Sequence, residues 1–140
     1  MFKLLWKKMK KMKFEHIAVG YNSEEEADKF FIDLLGLKKV RSKSAPPDLM
    51  EKFFGVKREQ TFVVYGKENL KFEVFMTNDK SKAKDVFTHS CLVIKNRDEF
   101  VEKTSSMGFN VMKVPRKDGE GYYLFIKDSF QNLYEIKEKM

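Results

Sequence analysis

The stretch "FEHIAVGYNSEEEADKFFIDLLGLKKV", residues 14–40, returns in altered form as "FTHSCLVIKNRDEFVEKTSSMGFNVMKV", residues 87–114. Each copy opens on Phe-x-His inside a run of alternating apolar residues, the period of a half-buried β-strand. A helix start follows in each. Ser23 stands three residues before Glu26 and Asn96 three before Glu99, arrangements that satisfy free N–H groups at a helix N-terminus. Ala27, Phe30, Phe31, Leu34 and Leu35 then share one helical face, answered by Phe100, Val101, Thr104 and Met107. Gly36 and Gly108 stand where a left-handed C-terminal residue belongs, and the strands "LKKVRS" and "FNVMKV" follow.

Working outward, "TFVVYGKENLKFEVFM" (61–76) and "GYYLFIKDSFQNLYEIKE" (121–138) each read as two apolar strands joined by a polar turn. Each half is therefore strand, helix and three strands. The predicted fold class is α+β: two tandem βαβββ modules, 14–77 and 87–140, whose curved mixed sheets surround a cup. Residues 78–86 are a polar linker. "SAPPDLMEKFFGV" (44–56) has no counterpart in the second half, and reads as a loop with a short helix, the kind of insertion that covers a pocket.

Composition narrows the function classes. The chain has 140 residues and a formal charge of +7, but Lys3, Lys7, Lys8, Lys10, Lys11 and Lys13 crowd the tail 1–13. Subtracting those six leaves residues 14–140 at +1. No basic stripe marks a nucleic-acid groove, so no nucleic-acid partner is expected. The tail reads as a basic leader, or as residues ahead of a start at Met9 or Met12, rather than as a membrane-surface helix. No apolar stretch approaches the roughly 18 residues of a membrane span. The single cysteine, Cys91, excludes an internal disulfide and suggests a reducing, cytoplasmic setting.

Strand parity carries the chemistry. His16 shares a face with Phe14 and Ala18, and His89 with Phe87 and Cys91, while Ile17, Val19, Leu92 and Ile94 turn towards the helices. Glu73 in "KFEVF" and Glu135 in "LYEIK" interrupt apolar runs and project from the same side as the histidines. A carboxylate among apolar neighbours marks a partner or a metal. Any one of the four taken alone is an ordinary solvated residue. Their recurrence at equivalent points of both repeats makes them a set. Two imidazoles and two carboxylates suit Zn, Ni, Co, Mn or Fe, with positions left for water and substrate.

Taken together, "FEHIAVG", "LKFEVF", "FTHSCLVI" and "FIKDSFQNLYEI" resemble the vicinal oxygen chelate superfamily over residues 14–138. That superfamily includes glyoxalase I, bleomycin-resistance proteins, extradiol dioxygenases and methylmalonyl-CoA epimerase. The resemblance implies His16, Glu73, His89 and Glu135 at the four ligand positions, a set similar to that of bacterial glyoxalase I. It implies a lyase or isomerase that moves a proton next to a carbonyl through a metal-stabilised enediolate. Glu135 is then the candidate base, and Glu73 its counterpart. A small-molecule substrate and a homodimer are expected, with the cup built within one chain or across two.

Departures from that pattern matter. Gly20 and Thr77 stand where bacterial glyoxalase I has an arginine and an asparagine, which argues against glutathione as the thiol. An epimerase of methylmalonyl-CoA type, a metal-dependent dioxygenase and a non-catalytic binding protein remain the alternatives. Arg41, Arg58 and Arg116 are candidate anion ligands, each expected first as a surface residue, and Tyr122 or Tyr123 is expected to line the cup. Cys91 is expected as a small buried hydrophobe.

Overall fold

A computed structural model describes residues 14–79, 87–116 and 119–139. The tail 1–13 and residues 80–86 of the linker lie outside the described residues. The first half comprises β1 (Ile17–Tyr21), helix α1 (Glu24–Ala27, continued by Asp28–Leu34), β2 (Lys38–Ala45), α2 (Pro47–Phe54), β3 (Gln60–Lys67) and β4 (Leu70–Met76). The second comprises β5 (His89–Ile94), α3 (Arg97–Ser106), β6 (Asn110–Pro115), β7 (Tyr122–Lys127) and β8 (Leu133–Glu138). Each half folds into its own four-stranded mixed sheet, ordered β1-β4-β3-β2 and β5-β8-β7-β6. In both, the first strand runs parallel to the last, and the other pairings are antiparallel.

The helix signals act as the sequence predicts. Ser23 Oγ accepts the Glu26 N–H at 3.3 Å, and Asn96 Oδ1 accepts that of Glu99 at 3.1 Å. Gly36 and Gly108 adopt φ of 75° and 83°, the left-handed region that side chains with a Cβ disfavour. Helix α1 departs from expectation in one respect. Only Glu24–Ala27 is α-helical, and Asp28–Leu34 continues as a π-helix, with the Leu35 N–H donating to Phe30 O at 3.0 Å. The adjacent Phe30 and Phe31 are both fully buried in the core.

One core serves both sheets. The Phe30 ring lies 5.0 Å from that of Phe31, 5.3 Å from Phe109 and 5.0 Å from Tyr134, so a first-half helix packs on a second-half strand. Phe72, Val74, Tyr134 and Ile136, read from parity as helix-facing, are all fully buried. Thr104 is buried in α3 and donates its hydroxyl to Phe100 O, so it costs no unsatisfied group. Among the described residues no helix is long and apolar enough to cross a membrane.

Candidate functional site

Parallel pairing of β1 with β4 sets Ala18 beside Glu73, and pairing of β5 with β8 sets Cys91 beside Glu135. The same register in both sheets brings each histidine to the glutamate of its own half. His16 Nε2 lies 3.4 Å from Glu73 Oε2, and His89 Nε2 lies 3.9 Å from Glu135 Oε1. All four side chains are partly exposed.

The far ring nitrogens explain the orientation. His89 Nδ1 lies 2.8 Å from Phe87 O; a carbonyl can only accept, so Nδ1 carries the proton. His16 Nδ1 faces Glu15 Oε1 at 3.2 Å, which sets the same tautomer. In the neutral imidazole each Nε2 then turns a lone pair towards a carboxylate. Two acceptors facing each other call for a cation or a proton between them. An imidazole whose other nitrogen donates to a carbonyl or carboxylate is how metal-ligating histidines are held. Two donors at about 2.1 Å from a tetrahedral ion stand about 3.4 Å apart, the separation within the first pair.

Each pair supplies two donors, half of what such an ion requires. Within the chain the four side chains do not converge: among the described residues, no three of His, Cys, Asp and Glu come together as a metal site. The four candidate ligands thus stand as two separate His–Glu pairs rather than as one cluster.

The insertion shapes the surroundings of the first pair only. Between β1, β4 and α2 lies a cavity of about 250 Å3. Ala18 and Gly20 of β1 and Phe75 of β4 line it, with Thr77 just beyond β4. Met50 and Phe54 of α2, and Val56 after it, close another side, and Val19, Arg58 and Gln60 complete the lining. Gly20 and Thr77, the two positions that set this chain apart from bacterial glyoxalase I, both face this cavity. Of the three candidate arginines, Arg58 is the one that lines it. Arg41 lies in β2, and Arg116 stacks on Tyr123 at 4.3 Å.

One sequence expectation changes. Cys91 is exposed, not buried, because it shares the Glu135 face, which no element among the described residues covers as α2 covers part of the first sheet. Limited burial, and then the Glu135 carboxylate, push its thiol up from the ordinary value. Of the two tyrosines, Tyr122 is the one turned away from the His89 face: it donates to Asp98 Oδ1 at 3.0 Å and lies between Arg97 and Lys113, whereas Tyr123 shares its strand face with Phe125, whose ring lies 5.6 Å from that of His89. The insertion 44–56, read from the sequence as the cover of a pocket, supplies Met50, Phe54 and Val56 to the cavity lining, while Gln60 and Phe75 escaped the sequence reading. The unmatched "MEKFFGVKREQ" was the available signal, since an insertion rich in apolar residues must pack on something.

No family profile and no curated protein matches the chain. Solved structures do. A glyoxalase family protein from Bacillus cereus superposes with a TM-score of 0.71 at 13% identity, covering 92% of this chain and 95% of that one. A glyoxalase family protein from Enterococcus faecalis gives 0.70 at 12%, covering 91% and 98%. The fosfomycin resistance protein FosX from Listeria monocytogenes gives 0.67 at 15%, covering 92% and 94%. The fold is that of the vicinal oxygen chelate proteins. A variant of the Listeria FosX, 14% identical, was crystallised with Mn(II) and 1S,2S-dihydroxypropylphosphonic acid. Within the vicinal oxygen chelate fold, His16, immediately before β1, and His89, the first residue of β5, stand at matching points of the two modules, with Glu73 and Glu135 on the last strand of each.

Proposed function

We propose that the protein is a divalent-metal-dependent lyase or isomerase that moves a proton at the carbon next to a carbonyl and works as a homodimer. The observation that carries this reading is the pair of matched half-sites, His16 with Glu73 and His89 with Glu135. A two-fold dimer completes both halves at once, because an isologous contact that sets His16 and Glu73 against the partner's His89 and Glu135 also creates the reciprocal site. Phe14 and Phe87, each two residues before a site histidine, are 89% and 84% exposed, and Val93 is also exposed. Large apolar groups left in water beside both half-sites suit a face buried by a second copy.

A bound divalent ion would supply the electrophile that stabilises negative charge on a substrate oxygen. The chain's own residues do the rest. Phe87 O and Glu15 fix the two imidazole tautomers. Glu135 is the candidate base that takes the proton from carbon and returns it to the neighbouring position, with Glu73 its counterpart across the site. At 21% and 20% side-chain exposure, both carboxylates are sheltered yet still open to a substrate.

The test is elemental analysis after reconstitution with Zn, Ni, Co and Mn, for the wild type and for Glu135→Ala. About one ion per chain, lost in the variant, is expected. Protein that folds, dimerises and binds no ion under any of these conditions overturns the reading.

A further inference from the structure

The cavity beside His16 and Glu73 has a composition that selects its occupant. Its walls are apolar and partly aromatic: the Phe54 and Phe75 rings meet edge to face at 5.5 Å, and Phe62 backs Phe75 at 5.3 Å. Arg58 is the one charged residue of the lining. The two polar lining side chains are already engaged. Thr77 Oγ1 donates to Tyr21 O at 3.1 Å and accepts the Asp79 N–H at 3.2 Å. The Gln60 amide donates to Thr61 O and Met76 O, bridging the start of β3 to the end of β4. The Arg58 guanidinium, by contrast, makes no ion pair among the described residues.

We propose that this cavity binds a small arylalkanoic acid, its ring against Phe54, Phe75 and Met50 and its carboxylate on Arg58. The assignment follows from what each ligand class would leave unpaired. A ligand with many oxygens would find one donor and lose its hydration against apolar walls. Arg58 is exposed at the rim of the cavity, so a carboxylate gains the match to its planar fork that a neutral hydrocarbon forgoes. An aromatic body suits the edge of one ring and the face of another, with the Met50 thioether alongside. An apolar cavity of about 150 Å3 holds benzene, so about 250 Å3 has room for one ring on a short chain. The proposal rests on the preceding reading only in treating this space as the substrate side of the first half-site: Ala18 lines the cavity and pairs in register with Glu73.

Calorimetry on the full chain in EDTA tests binding without the metal. The probes are phenylacetate and 3-phenylpropionate, their primary amides, and glutathione. The acids are expected to bind at least tenfold more tightly than the amides, and glutathione to bind no better than the amides. Arg58→Gln should abolish the preference for acid, and Val56→Trp, which fills the cavity from an exposed loop position, should abolish binding of acid and amide alike. Both variants should melt like the wild type and keep its metal content. Equal affinity for acid and amide, an acid preference that survives Arg58→Gln, or binding unaffected by Val56→Trp overturns the proposal. Acid binding in a protein that takes up no metal would leave this inference standing while the metal-enzyme reading fails. Metal uptake with no acid binding would do the reverse.

Discussion

The Asn132 side-chain amide donates to Gly20 O at 2.9 Å, across 112 positions of sequence, and its second N–H reaches Asp128 Oδ2 at 2.9 Å. One amide thus ties the turn between β7 and β8 to β1, the strand that begins beside His16. Tyr21 reinforces the contact through its hydroxyl, 2.9 Å from Ser129 Oγ. At the centre, Asp128 is almost wholly buried and accepts the N–H groups of Phe130 and Asn132 and the Tyr134 hydroxyl.

This cluster gives stability a definite pH dependence. Burial raises the Asp128 carboxyl from 3.8 to about 6, against the pull of its hydrogen bonds. Between those values the folded protein binds a proton that the unfolded chain releases, so stability falls as pH rises from about 4 to 6. The contribution is complete below the unfolded value and lost above the folded one. Asp128→Asn keeps an acceptor for the two backbone N–H groups and removes the titration. Urea unfolding at pH 4, 5, 6 and 7 should show the wild type losing stability relative to the variant, by at most about 1.4 kcal/mol per pH unit. A difference that is flat, or that grows with pH, contradicts the account.

Phe30 joins the two modules, so truncating it should weaken both. Phe30→Ala removes a fully buried ring that touches Phe31, Phe109 and Tyr134. A loss of about 3–5 kcal/mol is expected. Because the core is shared, circular dichroism and tyrosine fluorescence should report a single transition in wild type and variant. Two separate transitions in the variant would mean that the modules hold their cores independently.

Much of this was legible in the sequence because it is local. The caps at Ser23 and Asn96 and the left-handed Gly36 and Gly108 are decided within a few residues, and parity alone put His16 and Glu73 on one face and His89 and Glu135 on another. The π-helical stretch was not legible. It shifts backbone hydrogen bonds by one residue while leaving Ala27, Phe30, Phe31 and Leu34 buried, so the apolar pattern reads the same either way. Nor could periodicity tell that the four site residues form two pairs, which depends on how the sheets dock. Asp128 was hidden for a related reason: a carboxylate in "DSFQN" looks like an exposed turn until Tyr134 and Asn132 close around it.

Gly36 offers a test of backbone conformation with little packing involved. A Cβ added there would meet nothing within 4 Å, so Gly36→Ala changes only the cost of its φ of 75°. The expected loss is about 1–2 kcal/mol, read as a lowered thermal midpoint. Gly108, at 83° and equally open, should behave alike. A neutral or stabilising Gly36→Ala would show that the turn is not held in the left-handed region.

The proposed sharing of half-sites across a dimer makes a prediction that a site within one chain cannot imitate. Consider one chain carrying His16→Ala and Glu73→Ala, and another carrying His89→Ala and Glu135→Ala. Each homodimer lacks one half of both sites and should bind no metal tightly. Coexpressed with different affinity tags and purified through both, the mixed dimer keeps one complete site, made of His16 and Glu73 from the second chain with His89 and Glu135 from the first. It should bind one ion per dimer, where the wild type binds two. A site confined to one chain gives no metal in the mixed dimer. A site made by two copies of the same half would instead leave metal in one of the parent homodimers, because that chain retains the pair in both copies. Elemental analysis of the three species therefore identifies which pairs meet, and with it which chain supplies Glu135 to the substrate lying over Glu73.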